Sequence, residues 1–120
     1  MLPAAFYMRK YVMELIGTFF LVLTIGCTVI AGGSGVISPL AIGAVLMVMI
    51  FAGGHISGAH YNPAVTLGVF LRGRCAASDV GPYVAAQVVG AVLAAMTVLF
   101  LKRGAQVTPL YAAAAPALVA

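Results

Sequence analysis

The 120-residue sequence has no tryptophan, two cysteines and only two acidic residues, Glu14 and Asp79. Charged side chains make up 7% of it, where soluble chains carry about 25%. Against that scarcity, 64% of the residues are hydrophobic, more than a soluble domain of this size can bury. A soluble fold is excluded, and the chain belongs in a membrane. The six bases give a net charge of +4, but they form no cluster on a polar face, which excludes a nucleic-acid partner. Two cysteines make no disulfide framework. Cys27 lies in an apolar run and Cys75 in a charged linker, so both are expected as free thiols.

What is present is a set of long apolar runs edged by bases. Arg9, Lys10, Arg72, Arg74, Lys102 and Arg103 lie mainly where those runs end, as snorkelling anchors do. Residues 1–10 read as a short amphipathic lead. Residues 11–31, 36–52 and 81–101 are each long enough for a span. The first run competes with a secretory signal, but it is longer than a signal core, carries Glu14 and precedes further spans. Gly32-Gly33-Ser34-Gly35 links the first two spans, and residues 72–79 form a polar linker. Pro82 is expected in the first turn of the third span. The tail, residues 104–120, is too broken by Pro109 and Pro116 to make a span. Three spans put four bases on one side and two on the other, which favours a cytoplasmic N-terminus. Ala86, Gly90 and Ala94 recur every four residues on the third span and allow close helix approach, while Gln87 beside them needs a partner inside the membrane.

Between the second and third spans lies a stretch, residues 53–71, that belongs to neither. A glycine-rich bend, Gly53-Gly54-His55-Ile56-Ser57-Gly58, leads into Ala59-His60-Tyr61-Asn62-Pro63-Ala64-Val65-Thr66. A helix from Asn62 to Leu71 would reach about 15 Å, half of a ~30 Å hydrocarbon core. Asn62 fits an N-cap with Pro63 at the first helical position. Such a helix, entered through Asn-Pro and left through Arg72-Gly73-Arg74, reads as a re-entrant half-helix. Its Asn62 donors would stand at a positive dipole end, where they hydrogen-bond a neutral oxygen-bearing molecule and repel cations. The backbone from Gly53 to Ala59 cannot be helical throughout, and its free carbonyls are tolerable at depth only along a watery path or buried in protein. The fold class expected is an all-α membrane protein: three transmembrane helices plus one re-entrant half-helix carrying Asn-Pro-Ala, in a single membrane domain.

Glu14, an ionisable group within a span, is expected to accept hydrogen bonds from the N–H groups of a broken loop. Glu14, His55 and His60 are a weak metal set, because five residues across a glycine bend fix no common helical face. No Ser-His-Asp or Cys-His arrangement has a supporting cast. Neither an enzyme nor a cofactor is expected.

The motif Ser57-Gly58-Ala59-His60-Tyr61-Asn62-Pro63-Ala64-Val65-Thr66 resembles the first signature of the aquaporin and glycerol-facilitator (major intrinsic protein) family. The stretch Met13-Glu14-Leu15-Ile16-Gly17-Thr18-Phe19-Phe20-Leu21-Val22 is similar to that family's first span, and Ala86-Gln87-Val88-Val89-Gly90-Ala91 to its third. The resemblance implies a passive channel for water and small neutral solutes in the plasma (inner) membrane. Asn62 would then hydrogen-bond passing water, with Pro63 and Ala64 fixing the half-helix tip. Gly58, Ala59 and His60 would supply pore carbonyls, and Glu14 and Gln87 would brace a re-entrant loop. The constriction position falls at Ile42, where water-selective members often carry an aromatic residue. An isoleucine leaves glycerol-like solutes open. Family members assemble as tetramers and contain two inverted repeats, of which this sequence holds the first. The expectation is therefore an N-terminal half whose second repeat, with its own Asn-Pro-Ala, is absent through truncation. The competing expectation is a non-conducting partner of full-length channel subunits.

Overall fold

A computed structural model describes residues 4–30 and 35–104. It contains four helices: α1 (Ala4–Val29), α2 (Ile37–Ser57), α3 (Pro63–Leu71) and α4 (Ala77–Leu101). Among the described residues three of them, α1, α2 and α4, are long and apolar enough to cross a membrane. The fourth, α3, has nine residues and reaches about 14 Å, too short to cross. The tail after residue 104 and most of the Gly32–Gly35 link lie outside the described residues.

The central element is α1, which packs on both α2 and α4, while α3 rests on α4. Small residues set these contacts. A Cβ on Gly90 of α4 would collide with the Leu15 carbonyl of α1, so the two backbones touch there. Ala94, one turn on, is fully buried. Further along, Gly26 of α1 makes room for the Val98 side chain of α4. The two helices run parallel, with Lys10 paired to Asp79 at one end and Lys102 reaching the Ile30 carbonyl at the other. Helix α2 runs antiparallel to α1: Ser38 Oγ donates to the Thr28 carbonyl at one end, and Gly53 faces Met13 at the other.

The helix ends differ from the sequence expectation in three places. α1 begins at Ala4, because nothing in residues 4–10 breaks a helix and the amphipathic lead continues the same rod. α2 runs through Gly53 and Gly54 to Ser57, so the expected bend at Gly53 does not occur. Gly53 serves close packing instead, against the Tyr61 hydroxyl and Met13. The break comes at Gly58, whose φ of +87° is a left-handed C-cap closed by its N–H to the Gly54 carbonyl at 3.0 Å. α4 begins four residues early at Ala77, which places Pro82 in its second turn and not its first.

The interior is as polar as it is apolar. Met49, Tyr61, Tyr83, Ala94 and Val98 are buried alongside Glu14, Thr18, Ser38, Ser57, Thr66 and Gln87, whereas Phe51, Leu40, Met96 and Phe100 are exposed. That is the inverse of a soluble protein and fits a hydrocarbon solvent outside.

Candidate functional site

The site is assembled around Glu14, one turn inside α1 from Lys10. Its carboxylate is fully buried and accepts four hydrogen bonds. Oε1 takes the Ser57 hydroxyl at 2.6 Å and the His60 N–H at 3.0 Å. Oε2 takes the Tyr61 N–H at 2.6 Å and Gln87 Nε2 at 2.8 Å. One side chain thus ties α1, the end of α2, the loop and α4 together. Two of these donors, the His60 and Tyr61 N–H groups, belong to the loop of residues 58–62.

That loop is strained. Ala59 and Tyr61 have φ of +55° and +52°, values that L-residues adopt at a cost of about 1–3 kcal/mol each. Holding them falls to the bonds from His60 and Tyr61 to Glu14 and to the packing of Tyr61. The Tyr61 ring fills the space over Gly17, where any Cβ would strike it, and its hydroxyl donates to the Met49 carbonyl at 2.7 Å. Tyr61 is 1% exposed, so a wedge between α1 and α2 fixes the residue directly before Asn62.

Asn62 is extended, with φ −157° and ψ 130°, as the following proline requires. Its Oδ1 accepts the Ala64 N–H at 2.8 Å and caps α3, with Pro63 at the first helical position. The Nδ2 donors meet no protein acceptor among the described residues, and Asn62, Pro63 and Ala64 are all exposed. Hydrogen bonding along the loop is one-sided. The N–H groups of Gly58, Ala59, His60 and Tyr61 all go to protein acceptors. The carbonyls of Gly58, Ala59 and His60 accept from no group among the described residues. The backbone donors of residues 58–61 are taken up by protein, and the carbonyls of residues 58–60 are left over.

A hydroxyl network continues behind the loop. Thr66, fully buried on α3, accepts Gln87 Nε2 at 2.9 Å and lies 3.1 Å from His60 Nδ1. Tyr83 donates to the Ser57 carbonyl at 2.6 Å, and its ring centroid lies 5.0 Å from that of His60. Toward the water boundary, Asp79 accepts Lys10 Nζ at 2.6 Å and the Tyr11 hydroxyl at 2.9 Å. Burial pushes the neighbouring Cys75 thiol above its ordinary pKa, and the Asp79 carboxylate adds to that while Lys10 opposes it. Ile42 is half-buried on α2, which does not pack on α3, so Ile42 and the half-helix tip stand apart. His55 is exposed, and no three metal-ligating residues converge among the described residues.

Sequence reasoning missed Ser57, Thr66, Tyr61 and Tyr83 as partners in this network. The signal was available: a buried carboxylate offers about four acceptor positions, and an apolar chain has few donors to fill them. Tyr83 stands one helical turn before Gln87 and shares its face.

Three spanning helices and a short helix behind a polar, strained loop define an integral membrane protein. The family model for major intrinsic proteins matches residues 4–120, and the chain belongs to that family. It is 45% identical over 104 residues to Aquaporin Z of Photorhabdus laumondii, an alignment covering 81% of this chain and 45% of that relative. Aquaporin Z of Rhodopseudomonas palustris is 44% identical, with 81% and 43% covered. Glycerol uptake facilitator protein-like 6 of Lactiplantibacillus plantarum is 44% identical over 92 residues, with 76% and 43% covered. The chain spans under half the length of these curated relatives.

Proposed function

We propose that this chain is one membrane domain forming one wall of a passive transmembrane channel for water and small neutral solutes. The observation that carries this reading is the one-sided loop: free carbonyls at Gly58, Ala59 and His60, then free Asn62 donors at the positive end of α3. A water molecule, donor and acceptor at once, is passed from carbonyl to carbonyl and reoriented at Asn62. A cation meets the dipole end, roughly +0.5 charge, and is repelled. Pro63 and Ala64 shape the tip, and Glu14 and Gln87 hold the loop behind it. The opposite wall comes from a second unit of the same kind in inverted orientation. Ile42, set apart from the tip, lies at a separate constriction. Its aliphatic side chain admits glycerol-like solutes besides water. Relatives named for aquaporin and for glycerol uptake are equally similar, so the names do not choose between solutes. The N-terminus lies in the cytoplasm, on the side of Arg9, Arg72 and Arg74, and the membrane is the plasma membrane.

Osmotic shrinkage of proteoliposomes tests this. Vesicles holding the protein should shrink well faster than empty ones, and Asn62→Asp, which replaces the free donors by an acceptor, should slow them about tenfold or more. Shrinkage equal to that of empty vesicles, with insertion verified, would mean that these residues do not conduct by themselves. That result favours the competing reading of a non-conducting partner of other channel subunits.

A further inference from the structure

The site described above leaves an apolar groove between α1 and α4 unused. It lies at the other end of α1 and α4, where Val22, Ile25 and Gly26 face Ala95 and Leu99, with Lys102 at its mouth. Its volume is about 270 Å³, and among the described residues Lys102 supplies the one polar side chain lining it. The threonines nearby do not make it polar. Thr24, Thr28 and Thr97 donate their hydroxyls to carbonyls of their own helices. From Val22 to Ile30 the groove wall rises about 12 Å, close to the ~15 Å hydrocarbon depth of one leaflet.

The mouth is charged, and among the described residues no carboxylate compensates it. Lys102 Nζ is pinned over it by the Ile30 carbonyl at the end of α1, and the Arg103 guanidinium lies 4.4 Å from the Phe100 ring centroid. Neither cation has a carboxylate partner among the described residues. Of the two acids in the sequence, Asp79 is paired with Lys10 and Glu14 is saturated by four donors, both near the opposite end of α1. An apolar trough parallel to the helix axes, about one leaflet deep, with Lys102 at its mouth and Arg103 next to it in the chain, is complementary to an acyl chain beneath an anion.

We propose that this groove binds one acyl chain of an anionic phospholipid, with the phosphate held by Lys102 and Arg103. A zwitterionic lipid brings its own cation to the same place and is bound less well. The site does not depend on the channel reading, because it needs only that the helices stand in a bilayer.

Native mass spectrometry of the purified protein in detergent, titrated with phosphatidylglycerol or phosphatidylcholine of identical chains, tests it. The anionic lipid should bind about tenfold more tightly, from two cations each acting on one phosphate. Lys102→Gln with Arg103→Gln should reduce phosphatidylglycerol to the level of phosphatidylcholine. Arg72→Gln with Arg74→Gln removes the same net charge elsewhere and should leave the preference intact. Ala95→Phe, which fills the trough, should weaken both lipids. Should that variant misfold by circular dichroism, a photoreactive benzophenone side chain in place of Leu99 gives the same information through a lipid-sized adduct. Equal binding of the two lipids overturns the proposal, as does a preference that survives the Lys102/Arg103 change or is lost in the Arg72/Arg74 control. A cross-link from position 99 to protein also overturns it and identifies a protein segment as the occupant.

Discussion

Two side chains decide whether Asn62 is held in place, and they act with different strength. Glu14 fills all its acceptor positions with donors from three other segments, so its replacement leaves several buried N–H groups unpaired. Glu14→Gln keeps the shape but turns two acceptor positions into donors that face donors. It should lower stability by about 3 kcal/mol or more, measured by unfolding in mixed detergent micelles, and should raise protease cutting at residues 58–62. A stability within about 0.5 kcal/mol of the parent would remove Glu14 from the centre of the account. Tyr61 acts mainly through its ring. Tyr61→Phe gives up only the bond to the Met49 carbonyl, which remains inside α2, and should cost about 1 kcal/mol with shrinkage rates unchanged. Gly17→Ala on the opposite helix pushes a methyl into that ring and should cost about 1–3 kcal/mol while also slowing shrinkage.

At the scale of the helices, the arrangement depends on how near α4 can come to α1. Gly90 faces a backbone carbonyl, not a side chain that could swing away, so Gly90→Val must separate the helices. That separation draws Gln87 away from Glu14 and Tyr83 away from Ser57, and it should destabilise the protein by about 1–3 kcal/mol. Gly43→Ala, on a part of α2 with nothing within 4 Å, is the control and should be neutral to the packing of this chain. Thermal unfolding of the two variants side by side reads the difference. The spacing of Ala86, Gly90 and Ala94 already announced this contact, as the half-length apolar segment after Asn-Pro announced α3. The legible features were those written in period, length and a single strong cap. Illegible from sequence were the features where tertiary contacts overrule a local preference. Gly53 and Gly54 look like a bend because glycine frees the backbone. Both stay helical, and Gly53 is needed there because Tyr61 and Met13 take the room that a side chain would fill. Pro82 looks like a first-turn residue, yet α4 starts earlier to bring Asp79 to Lys10 and Tyr11. The hydroxyls around Glu14 were invisible as a set, since they come from four segments that share no spacing in the sequence.

For the whole molecule, an apolar exterior around a polar seam leaves the two ends to be distinguished by charge. Arg9, Lys10, Arg72 and Arg74 stand with Asp79 at the end where α1 and α4 begin, and Lys102 and Arg103 at the end where they finish. If the larger group faces the cytoplasm, Cys75 does too, because it lies in the linker between α3 and α4 beside Arg74. In cells carrying Cys27→Ser, a membrane-impermeant maleimide added outside should leave Cys75 unlabelled, and permeabilisation should expose it. Rapid labelling from outside would reverse the orientation. The same reagent reports on the charge cluster, since only the thiolate reacts. Burial raises the thiol above its ordinary value of 9.0, with Asp79 adding its charge, so labelling after permeabilisation should be slower than for a free thiol at neutral pH. The rate should still be climbing with pH where a free thiol has levelled off. Asp79→Asn removes the negative charge and releases Lys10 from its partner, and both changes favour the thiolate. That variant should therefore react faster at neutral pH and reach its plateau at lower pH. An unchanged rate would mean that the Lys10–Asp79 pair does not set the electrostatics of this face, and the charge count used to orient the protein would lose its structural support.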